Sequence, residues 1–86
     1  MQVNIVNLER PPKGWEPIET RYVAIGNQNP LEVAANESKV LGKEIAIKRG
    51  YDPNLVHKFG AHTRIENTPV PYSNRIIGVN ISLYSI

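Results

Sequence analysis

The chain has 86 residues and no cysteine, enough for one domain with a modest core and nothing to build a disulfide framework or a thiolate metal site. A formal net charge of +2, no apolar run near the roughly 20 residues of a membrane helix and no signal-peptide pattern at the start make a soluble, cytoplasmic protein the expectation. Extra stability then has to come from dense packing or from a second copy of the chain.

Residues 2–8 predict a first strand, with Val3 and Ile5 on one face. Residues 9–20 hold Pro11, Pro12, Gly14 and Pro17, which rules out a stable helix there. Trp15, inside this loop, is expected to fold back as a lid on the core, with an exposed contact as the alternative. Residues 21–25 predict a second strand, broken by the polar turn Gly26-Asn27-Gln28-Asn29. Pro30 follows where a first helical turn accepts proline, and a long helix is predicted from there to about Arg49.

At about 100° per residue, Leu31, Ala34, Ala35, Ser38, Leu41, Gly42, Ile45 and Ala46 gather on one side of that helix. Half of these are Ala or Gly, so this side suits close approach to a sheet. Val33, Val40 and Ile47 recur every seven residues on nearly the opposite side. A surface helix of a monomer normally carries one apolar stripe. The second is either covered by the proline-rich loop with Trp15 or forms the interface of a homodimer.

Gly50 is placed to end the helix as a left-handed cap. Asp52 and Pro53 then predict a short second helix, capped by Asp52 and closed by Gly60. Residues 62–66 predict a third strand, and residues 67–74, with Pro69 and Pro71, a loop. Residues 75–85 alternate most cleanly, with Ile77, Val79, Ile81 and Leu83 facing in and Gly78, Asn80, Ser82 and Tyr84 facing out. The whole is an α+β fold in ββαββ order, one main helix packed on a small mixed sheet with a protruding arm between the last two strands.

Catalytic chemistry is thinly provided for. Asp52 is the sole aspartate and helix capping already employs it, while His57 and His62 have no nearby cysteine or aspartate to complete a metal site. Ser38 and Ser82 lie inside predicted elements, not on a sharp nucleophile turn. A protein without enzymatic activity, metal or cofactor is the expectation.

Two constellations carry a binding mechanism. The turn of Gly26, Asn27, Gln28 and Asn29 leads into a helix N-terminus, where free amides and the helix dipole favour an anion, unless Asn27 or Asn29 caps the helix itself. The arm of residues 68–74 is stiffened by two prolines, flanked by Arg64 and Arg75, and carries Tyr72 near its tip. Arginines there suit phosphate contacts and Tyr72 suits stacking on a base. Charge distribution agrees with such a use. Residues 1–38 carry three basic against five acidic groups, and residues 39–75 carry seven against three, which points to an anionic partner for the second half.

The run Val23-Ala-Ile-Gly26, the helix ending Glu-Ile-Ala-Ile-Lys-Arg-Gly50, and Asn74-Arg-Ile-Ile-Gly-Val-Asn-Ile-Ser-Leu83 together make residues 22–85 resemble the second half of the Alba family of small chromatin and RNA-binding proteins. The bacterial stage V sporulation protein S group is similar in layout. The resemblance implies a strand, a polar turn and a long helix, then two strands joined by a protruding arm with Arg75 at its base. It implies binding of DNA or RNA, with Lys13 matching the family's basic position after the first strand.

The expectation is therefore a dimeric, non-enzymatic protein that binds nucleic acid largely through its backbone. Arg10, Lys13, Arg64 and Arg75 would contact phosphates, Tyr72 would stack, and Val33, Val40 and Ile47 would form the dimer interface. One alternative is a protein-interaction module, such as a small microbial or viral accessory or inhibitor protein docking through the arm or the second stripe. Another is a binder of a small anionic ligand at residues 26–29.

Overall fold

A computed structural model describes residues 2–67 and 76–86. Strands β1 (Gln2–Asn7) and β2 (Glu19–Ala24) precede a single helix α1 (Pro30–Lys48), and β3 (Val56–Asn67) and β4 (Ile76–Ser85) follow it. They form one four-stranded sheet in the order β1-β3-β4-β2. β1 runs parallel to β3, while β4 is antiparallel to both β3 and β2. The α+β class and ββαββ order are those the sequence predicts. No helix among the described residues is long and apolar enough to cross a membrane. The predicted arm, residues 68–74, lies outside the described residues.

α1 starts and stops where its local chemistry dictates. The Asn29 side chain accepts from the Leu31 and Glu32 amides, and Pro30 has no amide to satisfy. At the other end Gly50 takes φ +68°, its amide bonding to Ile47 and that of Tyr51 to Ala46. That pair of bonds is a Schellman motif, and only glycine takes the left-handed position without strain.

The small-residue side of α1 lies on the sheet. A Cβ on Gly42 would stand 2.7 Å from Val3 Cγ1 and 3.3 Å from Phe59 Cδ2, so at this point the helix backbone rests on the side chains below. Leu41 and Ile45 are buried against Phe59, Ala61, Val79, Ile81 and Leu83, the alternate residues of the two central strands, and Ala46 is fully buried as well. From the outer edge β2, Arg21 reaches up to Glu44 of α1 as an ion pair. The hydrogen bond from Arg21 holds the Glu44 carboxyl below its ordinary range.

Several sequence expectations are corrected. Val33, assigned to the second stripe, is 9% exposed and belongs to the core, whereas Leu31, assigned to the buried side, is 70% exposed, and Ala35 is exposed too. The cause is the short edge strand: β1 ends at Asn7, opposite Ala61, so the sheet does not extend under the Leu31 and Ala35 side of the helix. The short second helix is absent. Asp52 instead closes a turn, accepting from the Asn54 amide at 2.9 Å, and β3 begins at Val56, six residues earlier than predicted. Gly60 is thus a strand residue, covered by Leu8, and a side chain there would collide with Leu8 Cδ1. Trp15 is 46% exposed and outside the core cluster, so it is not the expected lid.

The approach at Gly42 yields a prediction. Ala there gains about 1 kcal/mol of helix propensity, but overpacking costs about 1–3 kcal/mol. Gly42→Ala should therefore lower stability by roughly 1 kcal/mol in urea unfolding, with Lys43→Ala, on the exposed side, near wild type. A fully stable Gly42→Ala would mean that α1 does not sit this close to Val3 and Phe59.

Candidate nucleic-acid interface

One helix covers one face of the sheet; among the described residues no helix covers the other. Alternation assigns that open face. Phe59 and Ala61 of β3 face α1, so Lys58, Gly60, His62, Arg64 and Glu66 face away. By register, Ser82, Asn80 and Gly78 of β4 lie beside His62, Arg64 and Glu66, and Thr20, Tyr22 and Ala24 of β2 lie beyond them. Thr20, His62, Arg64, Asn80 and Ser82 line a shallow depression on this face.

Its polar groups are tied together. Thr20 and Ser82 hydroxyls are 3.1 Å apart. Arg64 donates to Glu66 Oε1 through Nε at 2.8 Å, and Asn80 Nδ2 donates to the same oxygen at 2.7 Å. These donors, Arg64 foremost, hold the Glu66 carboxyl below its ordinary range. Tyr22, half-exposed, lays its ring over Gly78, where any side chain would strike the ring, and its hydroxyl donates to the Ile77 carbonyl at 3.4 Å. Glycine at 78 is what lets an aromatic lie flat on this face.

Of the predicted contacts, Arg64 stands on this face, with its side chain 72% exposed. Arg10 and Lys13 are exposed in the connection from β1 to β2, whose first residue, Leu8, folds over Gly60 on the same face. Tyr84, also on this face, is only 5% exposed, so this end of the sheet is closed. Tyr72 and Arg75 lie outside the described residues. Tyr22, Lys58, His62 and Asn80 also lie on this face and are not among the predicted contacts. The alternation of β3 would have found Lys58 and His62, had the strand been predicted from Val56.

Two other predicted sites do not assemble. The anion site at Gly26, Asn27, Gln28 and Asn29 has its helix amides already taken: Leu31 and Glu32 donate to the Asn29 side chain and Val33 to the Asn29 carbonyl. Self-capping, the competing reading of that turn, is what occurs. The proposed dimer interface of Val33, Val40 and Ile47 is divided, since Val33 is in the core while Val40 and Ile47 are exposed.

The basic second half is also divided. Lys39, Lys43 and Lys48 are exposed on α1, alongside Glu32 and Glu44, while Lys58 and Arg64 belong to the open face of the sheet. Among the described residues no group of three or more His, Asp or Glu is placed to hold a metal. His57 contacts the Asp52 carbonyl at 2.7 Å and packs on Tyr51. Ser38 Oγ donates to the Ala34 carbonyl, the usual resting place of a helical serine.

No protein-family model, curated protein or solved structure matches this chain.

The depressed titration of Glu66 is testable. Its folded midpoint lies below the unfolded value of about 4.3, so its contribution to stability is present above that pH and is lost as pH falls through the folded midpoint. Carboxyl NMR titration should place Glu66 below the ordinary glutamate range, and Arg64→Ala should move it back up. An unchanged midpoint in Arg64→Ala would show that Arg64 is not its chief partner.

Proposed function

We propose that this protein binds single-stranded nucleic acid on the open face of its sheet, mainly through the sugar–phosphate backbone, without catalysing a reaction on it. The observation that carries the reading is the file of Lys58, His62 and Arg64 along the open side of one strand. Alternate residues of an extended strand are about 6.8 Å apart, so these groups form a line that a flexible anionic chain can follow. Tyr22 and the hydrogen-bonding side chains of Thr20, Asn80 and Ser82 flank it on one side. A half-exposed aromatic offers any base a face to stack on, while the cations contact phosphate without reading sequence.

Exposed Arg10 and Lys13 lie in the connection that starts at Leu8 over the same face and would add to the basic surface. The resemblance of residues 22–85 to Alba proteins points toward the same ligand class. Arg64 is shared between Glu66 and this role. A phosphate competing for it exchanges one charge-assisted bond for another, which makes binding weak and strongly salt-dependent.

Fluorescence anisotropy with labelled poly-dT and poly-rU oligonucleotides tests the reading. Affinity should fall linearly in log–log form with salt, and Lys58→Ala or Arg64→Ala should each flatten the slope by about 0.7. Tyr22→Ala should cost about 1–3 kcal/mol of binding, with Tyr22→Phe retaining most of it. Absence of binding at low salt, or binding indifferent to all three replacements, contradicts the reading.

A further inference from the structure

β3 is longer than the strand beside it. The last rung from the β1 side is the Leu8 amide bonding to the Ala61 carbonyl at 2.9 Å, yet β3 continues to Asn67, paired on its other side with β4. Residues 63–67 therefore form a sheet edge with no strand alongside among the described residues. Since the Ala61 carbonyl points to the β1 side, the amides and carbonyls of Thr63 and Ile65 point the same way, into the vacant position. On the helix side of that position, Leu31, Ala34 and Ala35 form an apolar wall, Leu31 being largely exposed. Ile65 is itself 40% exposed. An open edge with exposed apolar groups is a template for another strand.

We infer that this edge pairs with the same edge of a second copy of the chain, antiparallel, about a two-fold axis at Ile65. The order Arg64-Ile65-Glu66 selects both the occupant and the register. With the axis at Ile65, Arg64 stands opposite the partner's Glu66, and Glu66 opposite the partner's Arg64. Moving the axis one residue either way puts Arg64 opposite the partner's Arg64, or Glu66 opposite the partner's Glu66. Like charges directly opposite are destabilising. Backbone polarity agrees with the charge pattern. Ile65 exchanges both its hydrogen bonds with the partner's Ile65, which makes the Arg64–Glu66 rung a non-hydrogen-bonded pair, the closer kind at about 4.5 Å between Cα atoms.

Within one chain Arg64 already pairs with Glu66 along its own strand. In the dimer the four groups make a square of alternating charge on the open face. On the opposite face Ile65 meets the partner's Ile65 beside the Leu31 walls. Two four-stranded sheets become one of eight strands, with their open faces continuous. The edge of β3 replaces the Val33, Val40 and Ile47 stripe as the dimer interface.

Sedimentation velocity on the whole chain, without nucleic acid, tests this separately from the binding reading, so either can fail alone. The wild type should sediment as a concentration-dependent dimer. Arg64→Glu, which opposes like charges on both rungs, should raise the dimer Kd about tenfold or more. The double variant Arg64→Glu/Glu66→Arg restores complementarity and should recover the dimer. Ile65→Pro removes the axial donor, which faces away from β4, and should give a folded monomer. Amide exchange adds a reading on the unaltered chain: the Ile65 amide should be protected in concentrated solution and exchange freely on dilution. A wild type that is monomeric throughout its soluble range overturns the inference. So does a dimer unaffected by Arg64→Glu and Ile65→Pro, or one that the double variant fails to recover.

Discussion

Contact between the small-residue side of α1 and the apolar face of the sheet governs the rest of this molecule. Gly42 lets the helix backbone settle onto Val3, Ile5 and Phe59, and Leu41, Ile45 and Ala46 complete the core around it. Among the described residues there is one helix, α1, to make that contact. One sheet face is consequently covered by the helix, and among the described residues the other has no helix over it. Phe59 and Ala61 of β3 and Val79, Ile81 and Leu83 of β4 are buried apolar groups facing the helix, and the opposite side of the sheet carries Lys58, His62, Arg64, Asn80 and Ser82. Packing thus decides where the polar chemistry of the central strands is displayed.

Much of this architecture is legible in the sequence. Pro30 after Asn29 marks the helix start, Gly50 its end, and the alternation of residues 77–83 the central strand. Each is a local signal, set by caps, a left-handed glycine or a two-residue period. The failures are non-local or rest on local signals with two outcomes. Val33 and Leu31 changed places because the extent of neighbouring strands, not helix periodicity, decides which flank of a helix is covered. The start of β3 was missed because Asp52 and Pro53 suit a helix start and a tight turn equally well. Gly60 suggested a stop and is instead a strand position beneath Leu8.

The site was harder to see than the fold, for the same reason. Tyr22, His62, Arg64 and Asn80 come from three strands and meet only through sheet register. Of these, Arg64 stood out in the sequence as a base of the arm; the role of Tyr22 depends on Gly78, 56 residues away. The turn of residues 26–29 shows the converse. It has the composition of an anion site, yet the Asn29 side chain satisfies the amides such a ligand would need.

The most direct test of the open face as the binding surface is amide chemical-shift mapping during titration with a short poly-rU or poly-dT strand. Perturbations should concentrate at Tyr22, Lys58, His62, Arg64 and Asn80, leaving the exposed lysines of α1 unmoved. Shifts centred on Lys39 and Lys43, or none at any ratio, would contradict the account.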